Sequence, residues 1–161
     1  MTDRSVIHDT FSIERTYPAT PSRVFAAFAS AQAKHAWGGT AGSDLEPGAG
    51  ITEFDFRPGG RERTKLRLRG THYLYDALYY DVVPDQRIVY SYEMYADGAR
   101  ISVSVATIEL AKGGAGTVLT WTEQGAYLDG IDGKRAPLMR IEGTNEMLDS
   151  LTRYLQKTME S

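Results

Sequence analysis

The chain has 161 residues, 42% of them hydrophobic and 24% charged, which suits one globular domain with a core large enough to leave room for a pocket. Its 18 Lys and Arg stand against 21 Asp and Glu, a net charge of -3, which argues against nucleic acid or an anionic membrane surface as the main partner. The count of Cys is 0, which removes disulfides, thiolate nucleophiles and cysteine-based zinc sites and fits a cytoplasmic location.

Residues 1–10 read as a polar tail without the apolar stretch of a signal peptide, and 11–158 as a single domain. No apolar run approaches the roughly 20 residues of a membrane span, so no membrane insertion is expected. Phe11–Ala19 alternates and reads as a strand closed by Pro18. Thr20-Pro21 is an N-cap followed by proline, so a helix is expected to about Ala29, and a second short one over Ala31–Trp37. Gly38–Gly50 carries five glycines and reads as loop. Ile51–Arg57 and Arg61–Arg69, joined by Pro58-Gly59-Gly60, predict a hairpin with Phe54, Phe56, Leu66 and Leu68 on apolar faces and a basic stripe from Arg61 to Arg69 opposite.

Three longer strands follow, Tyr73–Val83, Arg87–Tyr95 and Arg100–Leu110, with turns at Pro84-Asp85 and Asp97-Gly98. Gly113–Gly116 lies between strands and precedes no helix, so it reads as a hairpin turn into Thr117–Ala126 and not as a phosphate cradle. From Pro137 to Met159 the period changes, and Ile141, Thr144, Leu148, Leu151, Leu155 and Met159 form the apolar stripe of one long helix. The fold class is therefore α+β: a curved antiparallel sheet of six or seven strands wrapped around a long C-terminal helix, with two short helices after the first strand.

His8, His35 and His72 have no metal-ligand spacing, and Asp129–Gly133 lacks the remaining positions of a calcium loop, so no metal and no cofactor are expected. The basic stripe has carboxylate neighbours at Glu53 and Asp55 and no interleaved aromatics, and reads as a solvated sheet face.

The pieces Tyr17-Pro18-Ala19-Thr20-Pro21-Ser22-Arg23-Val24-Phe25, Phe54-Asp55-Phe56-Arg57-Pro58-Gly59-Gly60-Arg61, Val82-Val83-Pro84-Asp85-Gln86-Arg87-Ile88-Val89-Tyr90 and Gly116-Thr117-Val118-Leu119-Thr120-Trp121-Thr122-Glu123, with Trp37 and Gly143, occur in this order. The ordered set resembles the START-like helix-grip superfamily (SRPBCC, Bet v 1-like), in the branch of the activator of heat-shock-protein-90 ATPase homologue. Thr144 departs from the pattern, where members often carry Trp after the glycine, as does the tyrosine-rich Tyr73–Tyr80 stretch.

The resemblance implies a cavity between the sheet and the last helix, and a small apolar or amphipathic molecule as its ligand. It places Leu119, Trp121 and Glu123 on the inner face. Asp76, grouped by period two with Leu74, Leu78 and Tyr80, is a second candidate pocket carboxylate. Asn145 lies beside the helix stripe, and Trp37, Tyr90 and Tyr92 are candidate wall residues. The expected ligand-binding set is thus Trp37, Asp76, Tyr80, Tyr92, Trp121, Glu123 and Asn145, with no catalytic residue assigned. Alternatives are a cyclase- or hydrolase-like enzyme using Asp76 or Glu123, and a chaperone-interacting domain. The chain has no room for the extra N-terminal domain of full-length chaperone activators, which weakens the last. A homodimer is compatible with the sequence.

Overall fold

A computed structural model describes residues 4–38 and 49–159. Most of the loop expected between Gly38 and Gly50 lies outside them, as does the side chain of Met159. The elements run β1 (Val6–Tyr17), α1 (Pro21–Phe28), α2 (Ala31–Trp37), β2 (Gly50–Phe54), β3 (Arg61–Leu68), β4 (Thr71–Val83), β5 (Arg87–Ala96), β6 (Ala99–Gly113), β7 (Gly116–Leu128) and α3 (Ala136–Met159). The strands form one antiparallel sheet in the order β1-β7-β6-β5-β4-β3-β2, a meander completed by β1 returning beside β7. This is the α+β helix-grip arrangement expected.

Local chemistry accounts for the boundaries. Thr20 Oγ1 accepts from Arg23 N and starts α1, with Pro21 at the first helical position, and Ser30 Oγ accepts from Ala33 N to start α2. β1 begins at Val6, five residues before the alternation from Phe11 suggests. Its partner β7 runs on to Leu128 and pairs with every residue back to Val6. Asp129 then fastens the start of the chain, accepting from Ser5 N and Arg4 Nε.

Gly113 and Gly116 face each other across the β6–β7 turn. A Cβ on Gly116 would stand 2.0 Å from the Tyr17 carbonyl oxygen, so only glycine lets β1 leave the sheet there. Gly60 is equally constrained, 2.0 Å from the Asp55 carbonyl oxygen, and it carries the ladder on to Tyr79 through the bond from Tyr79 N to Gly60 O.

The helix face of the sheet and the three helices enclose the core. Leu119, Leu148, Leu151 and Leu155 are buried as expected; Phe54 and Leu66 are only half-buried, because they lie at the β2–β3 end of the sheet, away from β1 and β7 where α3 packs. Tyr17 ties the layers together, its hydroxyl donating to the Leu148 carbonyl, while Arg15 reaches Asn145 and Asp149. Among the described residues, no helix is long and apolar enough to cross a membrane.

Candidate functional site

The side-chain alternation on β7 aims Leu119, Trp121 and Glu123 at the helices. The neighbouring strand β6 offers small residues there, Ser102, Ser104 and Ala106, with Ala106 directly beside Glu123. That leaves room for a long side chain from the next strand. Tyr92 of β5, paired with Ser104, reaches across β6 and donates its hydroxyl to Glu123 Oε2 at 2.7 Å. Trp121 Nε1 donates to Oε1 of the same carboxylate at 3.3 Å. Glu123 is 1% exposed.

The matching charge comes from the second turn of α3. Arg140 stands 3.5 Å from Glu123 Oε2. Its guanidinium donates to the Tyr92 hydroxyl (2.7 Å), to Ser102 Oγ (2.8 Å) and to Ser104 Oγ (3.3 Å). It also lies over the rings of Tyr92 and Tyr127, 5.3 Å from each centroid. Gly125 keeps this corner open, since a Cβ there would meet Ser104 Oγ at 3.0 Å and the Tyr127 ring at 3.3 Å. Burial pushes the Glu123 carboxyl above its ordinary value, an effect that Arg140 and the donated hydrogen bonds only partly offset. Burial also raises the Tyr92 phenol, so it remains a proton donor at neutral pH.

A second buried carboxylate lies toward the other end of the sheet. Glu62 on β3 is 3% exposed, accepts from the Tyr79 hydroxyl at 3.0 Å, and is held by Lys34 Nζ of α2 at 2.7 and 3.0 Å. Between the two carboxylates runs a wall of tyrosines. Tyr79 contacts Tyr90 at 5.8 Å between centroids, Tyr90 contacts Tyr92 at 5.9 Å, and Tyr75 contacts Tyr92 at 5.0 Å. Trp121 meets Tyr90 edge-on at 6.4 Å. The hydroxyls of Tyr79 and Tyr92 are spent on the carboxylates. Those of Tyr75 and Tyr90 have no hydrogen-bond partner among the described residues, and burial raises both phenols well above their ordinary range.

Of the residues expected at the site, the fold brings together Tyr92, Trp121 and Glu123. Trp37 is buried in the core, its indole N–H donated to the Ala27 carbonyl and its ring edge-on to Phe28. Asn145 accepts from Arg15 and donates to the Ile141 carbonyl, so its amide serves the junction of α3 with β1.

Asp76 and Tyr80 do not face the helices, which corrects their expected place at the site while Leu74, Asp76 and Leu78 still share one face of β4. Tyr75, Ala77 and Tyr79 take the helix side, and Asp76 lies on the outer face, paired with Arg61 at 2.9 Å and Arg63 at 3.4 Å. The register between β4 and β5 shifts between Tyr79 and Asp81, and Tyr80 at that irregularity is 59% exposed. The period of β4 was readable but its phase was not, because both phases carry large apolar bodies.

Arg140, Glu62, Lys34, Tyr75 and Tyr79 were not foreseen as site residues. Arg140 sits one turn before Thr144 on the α3 stripe, and Glu62 alternates with Thr64 and Leu66 inside the basic run. Both positions carried a signal that their charge masked.

Residues 18–156 match the family described as activator of Hsp90 ATPase homolog 1-like protein. A solved structure of an uncharacterized protein from Rhizobium leguminosarum is 39% identical, with a TM-score of 0.87 over 97% of this chain and 99% of that one. The Mll3558 protein from Rhizobium loti is 44% identical, with a TM-score of 0.82 over 93% of this chain and 99% of its own. Protein CV1439 from Chromobacterium violaceum is 26% identical, with a TM-score of 0.69 over 89% and 94%. No curated protein matches the sequence. With the match running from the end of β1 almost to the end of α3, the chain belongs to the activator of Hsp90 ATPase homolog 1-like family.

Proposed function

We propose that the protein binds a small apolar or amphipathic molecule on the helix face of its sheet, against Tyr75, Tyr90, Tyr92 and Trp121. The observation that carries this reading is the pair of hydroxyls on Tyr75 and Tyr90. They stand in an aromatic wall whose other polar groups, on Tyr79, Tyr92, Trp121, Glu62 and Glu123, are all bonded to one another or to Lys34 and Arg140. Neither hydroxyl has a partner among the described residues and neither is sealed from its surroundings, Tyr75 being only half-buried, so both are open to a ligand's polar group. Glu123 orients Tyr92 and Trp121 in this reading and does no acid–base chemistry, because its oxygens are occupied by these donors and by Arg140.

Energy transfer from tryptophan tests the reading. The chain has two Trp, so Trp37→Phe leaves Trp121 as the sole donor. Titration with the neutral probe N-phenyl-1-naphthylamine should give saturable quenching of Trp121 with matching rise of probe emission. Quenching that never saturates, or none at all, overturns the proposal.

A further inference from the structure

We infer that this site selects a neutral molecule bearing a hydrogen-bond acceptor, a carbonyl or ether oxygen on an apolar body, and rejects organic anions. The inference rests on the ligand-binding reading and adds the charge and polarity of the ligand to it.

Among the described residues, the cations Lys34, Arg15 and Arg140 are each already committed. Lys34 is held by both oxygens of Glu62. Arg15 is bonded to Asp149 and to Asn145. Arg140 is shared among Tyr92, Ser102, Ser104 and Glu123 and lies over two tyrosine rings. Burying an anion is costly unless a cation pairs with it. An anionic ligand could recruit Arg140 only by taking it from Glu123, which would leave a buried carboxylate without its charge partner. The two carboxylates at either end of the tyrosine wall oppose a further negative charge directly.

What the wall does offer is two phenolic O–H groups, on Tyr75 and Tyr90. As donors they match a neutral acceptor, and burial keeps them protonated. The rings around them supply apolar surface for the rest of the molecule.

Three probes separate these contributions, each read by transfer from Trp121 in the Trp37→Phe background. N-phenyl-1-naphthylamine is neutral. 8-Anilinonaphthalene-1-sulfonate has the same skeleton with a sulfonate added. Prodan is a neutral naphthalene bearing a ketone. The sulfonate should bind at least about tenfold more weakly than its neutral parent. Tyr75→Phe and Tyr90→Phe should each weaken prodan by roughly threefold to tenfold, the loss of one hydrogen bond, and leave the amine probe unchanged. Tyr80→Phe, at an exposed position, should alter neither, and circular dichroism confirms that each variant is folded. Equal affinity for the sulfonate and its parent overturns the inference while leaving the ligand site standing. So does an equal response of prodan and the amine probe to the tyrosine variants. Failure of both neutral probes to bind removes the ligand site itself, and the inference with it.

Discussion

Glu123 is the residue whose chemistry is set most completely by its surroundings. Desolvation disfavours its charged form more than Arg140, Tyr92 and Trp121 favour it, so its folded pKa lies above its ordinary value of 4.5. Between the unfolded and folded values the folded chain holds a proton that the unfolded chain has released. The free energy of unfolding therefore falls as pH rises through that window. The contribution is fully present below the unfolded pKa and is lost as pH passes the folded one. Glu123→Gln keeps an acceptor for the Tyr92 hydroxyl and has nothing to titrate. Urea unfolding at a series of pH values should show a shallower decline for the variant from acid toward neutral pH. Identical slopes would mean that Glu123 titrates alike in both states. The same residue explains why small side chains line β6, since Ser104 and Ala106 clear the path by which Tyr92 reaches the carboxylate.

At the scale of the element, α3 carries two unlike demands. One stripe, Thr144, Leu148, Leu151 and Leu155, is buried against the core, and Leu151 has no exposed surface. Leu151→Ala should cost about 2–5 kcal/mol. Gly143 is exposed, and a Cβ there meets nothing within 4 Å, so Gly143→Ala should raise stability by roughly 0.5–1 kcal/mol through helix propensity alone. Chemical denaturation of the two variants checks both signs; a destabilising Gly143→Ala would mean that something else packs on that face of the helix. The stripe was legible because a 3.6-residue period over 24 residues fixes which face is apolar. The strands were legible in number and order, since alternation and turn residues mark them. β4 was not legible in phase: Leu74, Asp76, Leu78 and Tyr80 compete with Tyr73, Tyr75, Ala77 and Tyr79, and the choice is made by pairing with β3 and β5. Trp121 and Glu123 were legible because the period of β7 groups them with Leu119 and the family resemblance turns that face inward. Arg140 and Glu62 were not, because a charge on an apolar stripe declares itself only once its partner from a distant element is in place.

Across the whole molecule, the helical layer is pinned to the sheet by an ion pair at each side: Arg140 of α3 with Glu123 of β7, and Lys34 of α2 with Glu62 of β3. The second pair tests how much such a pin matters without touching the aromatic wall's free hydroxyls. Glu62 is almost wholly buried and the Lys34 side chain is 16% exposed, so removing the cation strands a carboxylate that, among the described residues, keeps only the Tyr79 hydroxyl as a donor. Breaking a buried pair from one side typically costs about 3–5 kcal/mol, and partial exposure of the lysine puts Lys34→Met near the lower end, about 3 kcal/mol. Lys34→Met combined with Glu62→Gln removes the stranded charge and keeps an acceptor for Tyr79, so the double variant should recover most of that loss. The exposed pair Arg87–Asp81, with side chains 50% and 40% exposed, supplies the control. Arg87→Met should shift the urea midpoint by the equivalent of no more than about 1 kcal/mol, although its N···O distance of 2.6 Å is the shorter of the two. Burial, not bond length, decides the ranking. Equal shifts for Lys34→Met and Arg87→Met, or a double variant no more stable than Lys34→Met alone, would show that α2 is held by packing around Trp37 and Phe28 and that the ion pair adds nothing to it.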